Sequence, residues 1–223
     1  MEFEIKNICK RFGRKVPLLD ASFTAKSGEC IGIIGKNGSG KSTLLSILAG
    51  VQKADRGNFL CDGEDLFSSP AQLAKILGYV PQGTPLFDEL SAKDNLRLWY
   101  GSRELKKELS DGVLSMLGID EFITVPVKKM SGGMKKRLSI GCSMANKPKI
   151  LLLDEPSAAL DIVCKQSIVE YLTKFKESGG TVVITTHDES ELAMCDRIYL
   201  LKDSTLSPYE YDGNVSHLAE MLK

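Results

Sequence analysis

Residues 35–43 have the residue types and the spacing of a phosphate-binding loop. The segment reads Gly-Lys-Asn-Gly-Ser-Gly-Lys-Ser-Thr, fits the pattern G-x-x-x-x-G-K-[ST], and follows the apolar run Cys30–Ile34. Strand, glycine loop and helix is the order that this motif requires. Backbone N–H groups of such a loop point at phosphate oxygens, its lysine adds positive charge, and its hydroxyl reaches Mg²⁺. We therefore predict that a nucleoside triphosphate binds at Gly35, Asn37, Gly38, Ser39, Gly40, Lys41, Ser42 and Thr43.

A second segment that could do chemistry ends in two acids. The apolar run Ile150–Leu153 leads into Asp154, Glu155 and Pro156. A strand this apolar delivers its C-terminal carboxylates to the edge where α/β sheets bind ligands. Asp154 is placed to bind Mg²⁺ directly or through water, and Glu155 to orient and polarise a water for attack on the γ-phosphate. The plainer alternatives are an ordinary glycine-rich turn at residues 35–43 and a pair of acids that cap a turn before Pro156.

Composition and charge narrow the class of protein. The 223 residues carry 29 basic and 29 acidic side chains, and this zero net charge gives no support to bulk nucleic-acid binding, which needs a basic face. No run approaches the roughly 18 apolar residues of a membrane-spanning helix, and the N-terminus lacks the apolar core of an export signal. Six cysteines without a Cys-x-x-Cys pair indicate small buried hydrophobes in a reducing compartment. We expect a cytoplasmic protein without a nucleic-acid partner.

The elements that must position these motifs alternate between strand and helix. Near the N-terminus, Glu2–Ile8 and Pro17–Ala25 read as two strands that can pair in antiparallel fashion. Beyond residue 149, apolar strands and helices follow one another, which implies right-handed crossovers and a parallel sheet. We therefore predict an α/β fold whose sheet is mostly parallel, with an antiparallel β part at the N-terminus.

The segment 84–148 differs in character from the rest of the chain. Its apolar residues have helical spacing and its strand propensity is low. We predict a single domain over residues 1–223, in which this helical subdomain is inserted into an α/β core formed by 1–83 and 149–223. A short final helix is expected at 215–222. One stripe is expected to pack on a helix of the inserted segment and consists of Leu96, Trp99 and Tyr100.

Further motifs resemble those of the ATP-binding-cassette (ABC) ATPases and occur in that family's order. Met130–Met134, followed by Lys135-Lys136-Arg137, is similar to the family's signature segment and lies upstream of the Asp-Glu pair, as it does there. The other resemblances are an aromatic residue that stacks on adenine, a glutamine loop, the loop after the acidic strand and a switch histidine. They are matched here by Phe12, Gln82, Ser157–Asp161 and His187.

The resemblance implies a site shared between two chains that pair head to tail around two ATP molecules. Ser131, Gly132 and Gly133 of one chain would contact the γ-phosphate held by Lys41 of the other. Because these three residues precede a predicted helix, their free N–H groups also suit an anion on physical grounds. By resemblance, Phe12 would stack on adenine, and Gln82 would contact Mg²⁺ or the attacking water. Asp161 would make a contact across the dimer interface, and His187 would contact the γ-phosphate. A core position for Phe12 and a plain turn position for His187 are the alternatives.

The function that the resemblance implies is that of an ATP-hydrolysing subunit, with a P-loop NTPase core, that powers an ABC transporter. ATP and Mg²⁺ would close a homodimer or heterodimer, and hydrolysis would reopen it. A membrane-spanning partner would hold the chain on the inner face of the cell membrane. A soluble single-cassette ATPase of cofactor assembly is the alternative inside the family. A P-loop switch or kinase would leave Ser131–Met134 and His187 without a role.

One residue departs from the family pattern. The signature segment of this family usually ends in glutamine, and Met134 stands at that place in this chain. A thioether cannot donate hydrogen bonds as an amide can. A hydrogen bond donated by that glutamine is therefore not available from Met134, whereas the contacts expected of Ser131 and Gly133 do not depend on this position.

Overall fold

Ten β-strands form a mixed sheet in the computed structural model, which describes residues 1–214, 217, 218 and 220. The helix expected at 215–222 therefore falls largely outside the described residues. In chain order the strands are β1 (Glu2–Phe12), β2 (Lys15–Lys26), β3 (Cys30–Ile34), β4 (Arg56–Cys61), β5 (Glu64–Asp65), β6 (Leu77–Val80), β7 (Ile150–Asp154), β8 (Thr181–Thr185), β9 (Arg197–Lys202) and β10 (Thr205–Tyr209).

The helices cover the parallel part of the sheet and fill the long connection between β6 and β7. In chain order they are α1 (Lys41–Leu48), α2 (Pro70–Ile76), α3 (Ala92–Arg97), α4 (Ser102–Asp111), α5 (Val113–Met116), α6 (Gly132–Ser143), α7 (Ile162–Glu177) and α8 (Glu189–Ala193). Short 3₁₀ turns occur at Leu66–Ser68, Asp120–Phe122 and Val127–Lys129.

The strand order confirms the predicted fold class. Across the sheet the order is β5-β4-β1-β2-β10-β9-β3-β8-β7-β6. The five strands from β9 to β6 are mutually parallel, whereas β1, β2, β4 and β5 pair antiparallel. Every residue of β3, β7 and β8 is buried, as expected for parallel strands that carry helices on both faces. The ends of these buried strands carry the motifs found in the sequence.

Two apolar clusters pack on the opposite faces of the sheet. Alternate residues of β7 face each way: Leu151 and Leu153 join the cluster under α6 and α7, while Ile150 and Leu152 join the cluster that contains α1 and the antiparallel strands. This alternation follows from the two-residue period of a strand. Because both faces of β7 are packed, the position of its carboxyl end, at Asp154, is fixed.

The connection between β6 and β7 is helical, as its sequence predicts, and contains α3 to α6. The subdomain limits at 84 and 148 remain predictions. Leu96 and Tyr100 are buried, but Trp99 is 63% exposed, so the predicted packing of Trp99 is wrong. The helix α3 ends at Arg97, and in the turn that follows, where the Tyr100 N–H donates to the Leu96 carbonyl oxygen, Tyr100 and not Trp99 packs into the core. Within the described part of the chain, no helix combines the length and apolar character needed to cross a membrane.

Candidate functional site

The glycine loop lies between β3 and α1, packed tightly against two other strands. A side chain at Gly35 would place its Cβ 2.6 Å from the carbonyl oxygen of Leu201, and one at Gly40 would place it 2.7 Å from that of Pro17. Gly40 also has a φ of 116°, which side chains rarely adopt. No side chain caps the start of α1. The first N–H groups of the helix and the positive end of its dipole are therefore available to an anion.

An open cleft of about 860 Å³ lies over this loop, within the size range of small-molecule sites. Its lining includes most of the residues that the sequence singles out: Phe12, residues 36–43, Gln82 and Glu155. Phe12 ends β1, is 48% exposed, and carries the Lys10 ammonium 5.3 Å from its ring centroid. Phe12 is therefore not a core residue, and its ring is open to a ligand in the cleft.

Lys41 is buried at the centre of the loop. Its Nζ donates hydrogen bonds to the carbonyl oxygens of Gly35 at 2.6 Å and Lys36 at 3.3 Å. The same Nζ lies 3.4 Å from His187 Nε2 and 3.8 Å from Glu155 Oε1. Desolvation lowers the pKa of Lys41, while the carboxylates of Glu155 and Asp154 oppose that shift. An ammonium, an imidazole and a carboxylate thus converge on one point of the cleft.

Glu155 directly follows β7 and adopts an unusual backbone conformation. Its φ is 46°, which is uncommon for a residue with a side chain and is often found at functional sites. The Glu155 N–H donates to the backbone oxygen of Thr185 at 3.0 Å and to its hydroxyl at 3.1 Å, which holds this turn. Gln82 Nε2 donates to Glu155 Oε2 at 3.0 Å. The Glu155 carboxylate therefore lies between Gln82 and Lys41.

The residues predicted to hold Mg²⁺ offer oxygen ligands only. Asp154 is buried, and its Oδ1 accepts a hydrogen bond of 2.6 Å from the Thr185 hydroxyl. Ser42 and Gln82 both line the cleft. Carboxylate, hydroxyl and amide oxygens are the hard donors that Mg²⁺ prefers, usually together with phosphate oxygens and water. The described residues contain no group of three or more His, Cys, Asp and Glu that could hold a metal. The donor set fits a magnesium ion shared with phosphates.

His187 follows β8 and lies beside a small side cleft of about 220 Å³, which it shares with Glu155 and Ser157. Desolvation, and then the nearby Lys41 ammonium, lower the pKa of His187, while Glu155 opposes them. The ring is therefore neutral at pH 7, when one nitrogen donates and the other accepts. A plain turn position does not account for its placement 3.4 Å from the Lys41 ammonium.

The signature residues lie away from the cleft. Ser131 caps α6, where its hydroxyl accepts a hydrogen bond of 3.2 Å from the Met134 N–H. Asp161 caps α7 in the same way, accepting from the Cys164 N–H at 2.9 Å. The two helix starts are close, since a side chain at Gly133 would collide with Cys164. Ser131, Gly132, Gly133 and Asp161 are absent from the lining of the cleft.

Met134, the residue that departs from the signature pattern, has a packing role in the structure. Its side chain is partly buried and packs against the apolar cluster that lies under α6 and α7. A thioether suits this apolar contact. Met134 therefore contributes to packing, while the exposed start of α6 is formed by Ser131 and Gly132.

Several polar residues of the site carry no motif and were missed from the sequence. Thr185 holds both Asp154 and Glu155, as described above. Lys136 is buried and donates from Nζ to the carbonyl oxygens of Pro81 and Gln82. Glu191 is fully buried and accepts a hydrogen bond from the Thr186 hydroxyl. The only available signal was position: Thr185 ends the strand after the acidic one, and Lys136 follows the signature segment.

Comparison with known proteins gives the same result from three directions. A family model described as ABC transporter matches residues 18–158. A linearmycin resistance ATP-binding protein of Bacillus subtilis is 35% identical over 204 residues, which cover 89% of this chain and 65% of the relative. A spermidine/putrescine import ATP-binding protein of Protochlamydia amoebophila is 37% identical over 225 residues, covering 98% of this chain and 59% of the relative.

Solved structures agree with these relatives. A dimeric ATP-binding cassette, determined in a post-hydrolysis state bound to ADP and Pi, has a TM-score of 0.82 and 30% identity, covering 93% of this chain and 98% of that chain. The chain spans 59% to 65% of the length of the two curated relatives. From the family model, the relatives and the fold together, the chain belongs to the ABC transporter family.

Proposed function

We propose that this chain is an ATP-hydrolysing, nucleotide-binding subunit that powers an ABC transporter. The observation that carries the proposal is the cleft, in which the glycine loop, Lys41, Gln82 and Glu155 face one space at the start of α1. Free backbone N–H groups, a helix dipole and a buried ammonium are the groups that bind a polyphosphate. The relatives named for linearmycin resistance and polyamine import support a transport role.

Within the cleft each side chain has a distinct task. Phe12 stacks on the adenine ring, and the N–H groups of residues 35–43 bind the phosphates. Lys41 exchanges its contacts with the loop carbonyls for the β- and γ-phosphate oxygens. Glu155 orients the attacking water and takes up its proton as a general base. Neutral His187 donates a hydrogen bond to the γ-phosphate.

Ser42, Asp154 and Gln82 would hold Mg²⁺, and Thr185 fixes the orientation of the Asp154 carboxylate through its hydroxyl. When bound, the ion would neutralise negative charge that develops on the phosphates during hydrolysis. Gln82 has a second task, because its amide nitrogen holds Glu155 while its oxygen remains free to face the ion or the water. The two carboxylates therefore take separate roles in metal binding and in catalysis.

The signature residues serve the nucleotide of a second subunit. Ser131, Gly132, Gly133 and Asp161 sit at the starts of α6 and α7 and do not line the cleft of their own chain. Free N–H groups at the start of α6 suit the γ-phosphate bound by the other chain. ATP thus closes a head-to-tail homodimer or heterodimer, and hydrolysis reopens it. The γ-phosphate drives closure because it contacts both subunits only in the closed state.

A membrane-spanning partner docks on the segment between β6 and β7. Phe87, Leu98 and Trp99 are large apolar side chains exposed on this segment. Asn95 of α3 links the Phe87 backbone to this helix: its side chain accepts a hydrogen bond from the Phe87 N–H and donates one to the Phe87 carbonyl oxygen. Clustered exposed apolar side chains mark interaction surfaces. We infer that this partner holds the chain peripherally on the inner face of the cell membrane.

Glu155→Gln tests the proposal directly. The variant loses the base that activates water, so phosphate release should slow by at least roughly tenfold, while Mg-ATP still binds. It should also accumulate as a dimer in ATP, which light scattering detects. The exposed Glu177, at the end of α7, provides the control Glu177→Gln, which should match the wild type. Wild-type turnover in Glu155→Gln would remove Glu155 from the mechanism.

A further inference from the structure

A buried lysine connects the signature helix to the glutamine loop. Lys136 lies on α6, about one and a half turns after Ser131, and is only 5% exposed. Lysine is rarely buried unless its ammonium is paired or hydrogen-bonded. Here Nζ donates to the carbonyl oxygen of Pro81 at 3.1 Å and to that of Gln82 at 3.1 Å. Two successive carbonyls that converge on one ammonium fix the direction of the backbone as it leaves β6.

Nearby carboxylates favour the charged form of the buried Lys136 side chain. Burial lowers the pKa of Lys136, and the carboxylates of Asp154, Glu191 and Glu155 oppose this shift. The ammonium therefore lies within the field of the acids at the candidate catalytic site, although the cleft lining does not include it. A neutral side chain of the same length would leave the two loop carbonyls without this donor.

The contacts continue from the loop to the catalytic acid. The backbone that Lys136 holds carries the Gln82 side chain, whose Nε2 donates to Glu155 Oε2 at 3.0 Å. Glu155 in turn lies 3.8 Å from the Lys41 ammonium. A series of polar contacts thus runs from α6 through Lys136 and Gln82 to Glu155 within one chain.

We propose that Lys136 is a positioning residue for ATP hydrolysis, which acts by fixing the Gln82 backbone to α6 so that the Gln82 side chain meets Glu155. This inference rests on the proposed function, since it assigns a task to a residue near the same site. Lys136 does not line the cleft in which the nucleotide is proposed to bind. Its effect on the reaction passes through Gln82, and this route separates a positioning role from a general contribution to folding.

The kinetic test uses four single variants and one double variant. Lys136→Met removes the ammonium and should lower kcat by at least roughly tenfold while KM for ATP stays within about twofold. Lys136→Arg, which keeps the charge and the donors, should recover at least part of that loss. Lys135→Met is the matched control, because the neighbouring Lys135 makes only a 3.8 Å pair with exposed Asp88, and it should stay within about twofold of wild type.

The double variant distinguishes positioning from a structural role. If Lys136 acts through Gln82, Lys136→Met combined with Gln82→Ala should be no more than about twofold slower than Gln82→Ala alone. A merely structural lysine would add its own loss, so multiplied losses in the double variant would overturn the proposal. Wild-type kcat in a folded Lys136→Met would overturn it as well.

Hydrogen exchange gives a readout that does not depend on turnover. Amides in the segment 81–91 should exchange faster in Lys136→Met than in wild type. In Lys135→Met their exchange rates should equal those of the wild type. Equal protection in Lys136→Met and wild type would overturn the inference even if the kinetics changed. Absence of ATP hydrolysis in the wild type would instead refute the proposed function, and the exchange comparison would still decide whether Lys136 holds the loop. If Lys136→Met does not fold, Lys136→Ala is measured with the same expectations.

Discussion

Single side chains in the cleft take their properties from their immediate neighbours. Lys41 donates to two loop carbonyls and faces both His187 and Glu155, so one ammonium holds several groups of the site in place. Desolvation, and then this charge, lower the pKa of His187 and keep its ring neutral. Binding of a triphosphate would draw the ammonium toward the phosphates. The contact of 3.4 Å between Lys41 and His187 would then change when the cleft is occupied.

Lys41→Ala should weaken nucleotide binding itself, because the variant lacks the positive charge that faces the terminal phosphates. A charge-assisted hydrogen bond contributes about 1.5–3 kcal/mol, so the dissociation constant should rise roughly tenfold to a hundredfold. Titration with a fluorescent nucleotide measures the change. Lys53, which is exposed, provides the control Lys53→Ala. An unchanged affinity in Lys41→Ala would mean that residues 35–43 form only a turn.

Glu191 introduces a pH dependence into stability. Burial raises the pKa of this carboxyl from about 4.5 to about 7, against the hydrogen bond from Thr186, which lowers it. The folded state therefore retains a proton between these values that the unfolded chain has released. The resulting stability is complete below pH 4.5 and is lost as the pH rises through about 7. Its largest possible value is about 3 kcal/mol, since one pKa unit corresponds to about 1.4 kcal/mol.

Glu191→Gln should remove this pH dependence. The amide is neutral at every pH, and its oxygen can still accept from the Thr186 hydroxyl. Urea unfolding of both proteins at pH 5.5 and pH 8 gives the comparison, in which the variant should gain on the wild type at the higher pH by up to about 2 kcal/mol, because part of the effect is already lost at pH 5.5. A difference between the two proteins that is the same at both pH values would show that Glu191 does not titrate in this range.

At the scale of elements, apolar segments were predictable and one polar strand was not. The strand β3 has the limits of the apolar run Cys30–Ile34 that precedes the glycine loop. No comparable pattern in the sequence marks β10. It follows a turn at Asp203 and Ser204, whose φ values are 49° and 65°, and it contains Pro208. Such hairpin turns favour Asn-Gly or Asp-Gly, and proline within a run argues against a strand.

The site divides along similar lines. The glycine loop and the acids Asp154 and Glu155 are defined by local sequence next to buried strands, so their meeting at one sheet edge follows from parallel topology. The task of Lys136 depends on a contact with Gln82, which lies 54 residues earlier in the chain. Glu191 is bonded to nearby Thr186, but its complete burial depends on packing in the folded chain. No local pattern shows that a charged residue on an amphipathic helix faces inward. Such contacts require the packed structure.

The glycine loop gives a test at the element scale, because two of its glycines differ in their surroundings. Both have positive φ, but a Cβ at Gly38 meets nothing within 4 Å, whereas one at Gly40 lies 2.7 Å from the Pro17 carbonyl oxygen. Gly38→Ala should cost only backbone strain of about 1 kcal/mol, or roughly 2–4 °C in Tm. Gly40→Ala should lower Tm clearly more, since the loop must move from β2. Equal Tm values would show that the packing against Pro17 is not needed.

At the scale of the whole molecule, the residues predicted to act on one nucleotide lie on two separate surfaces. Lys41 and Glu155 meet in the cleft, while Ser131 and Asp161 lie at helix starts outside its lining. Under the proposed function, a single chain therefore supplies two halves of different sites. In a symmetric dimer the two halves can complement each other twice, once at each nucleotide.

Ser131→Arg should consequently leave nucleotide binding to the isolated subunit intact and abolish hydrolysis. The arginine adds a bulky cation where α6 begins, which blocks closure of the dimer without entering the cleft of its own chain. Mixing this variant with Lys41→Ala produces dimers in which one composite site carries both lesions and the other carries neither. If one intact site can turn over without its twin, an equal mixture should regain about a quarter of wild-type activity, because half of the dimers are mixed.

The measurements are phosphate release from each variant and from the mixture, and nucleotide affinity of each variant at concentrations where the subunit is monomeric. Each variant alone should be inactive, since every site in its dimer carries one lesion. The affinity comparison is decisive because it does not depend on cooperation between the two sites. If Ser131→Arg weakened nucleotide binding to the monomer as much as Lys41→Ala does, Ser131 would belong to the cleft of its own chain. Closure around ATP would then need other residues than the start of α6.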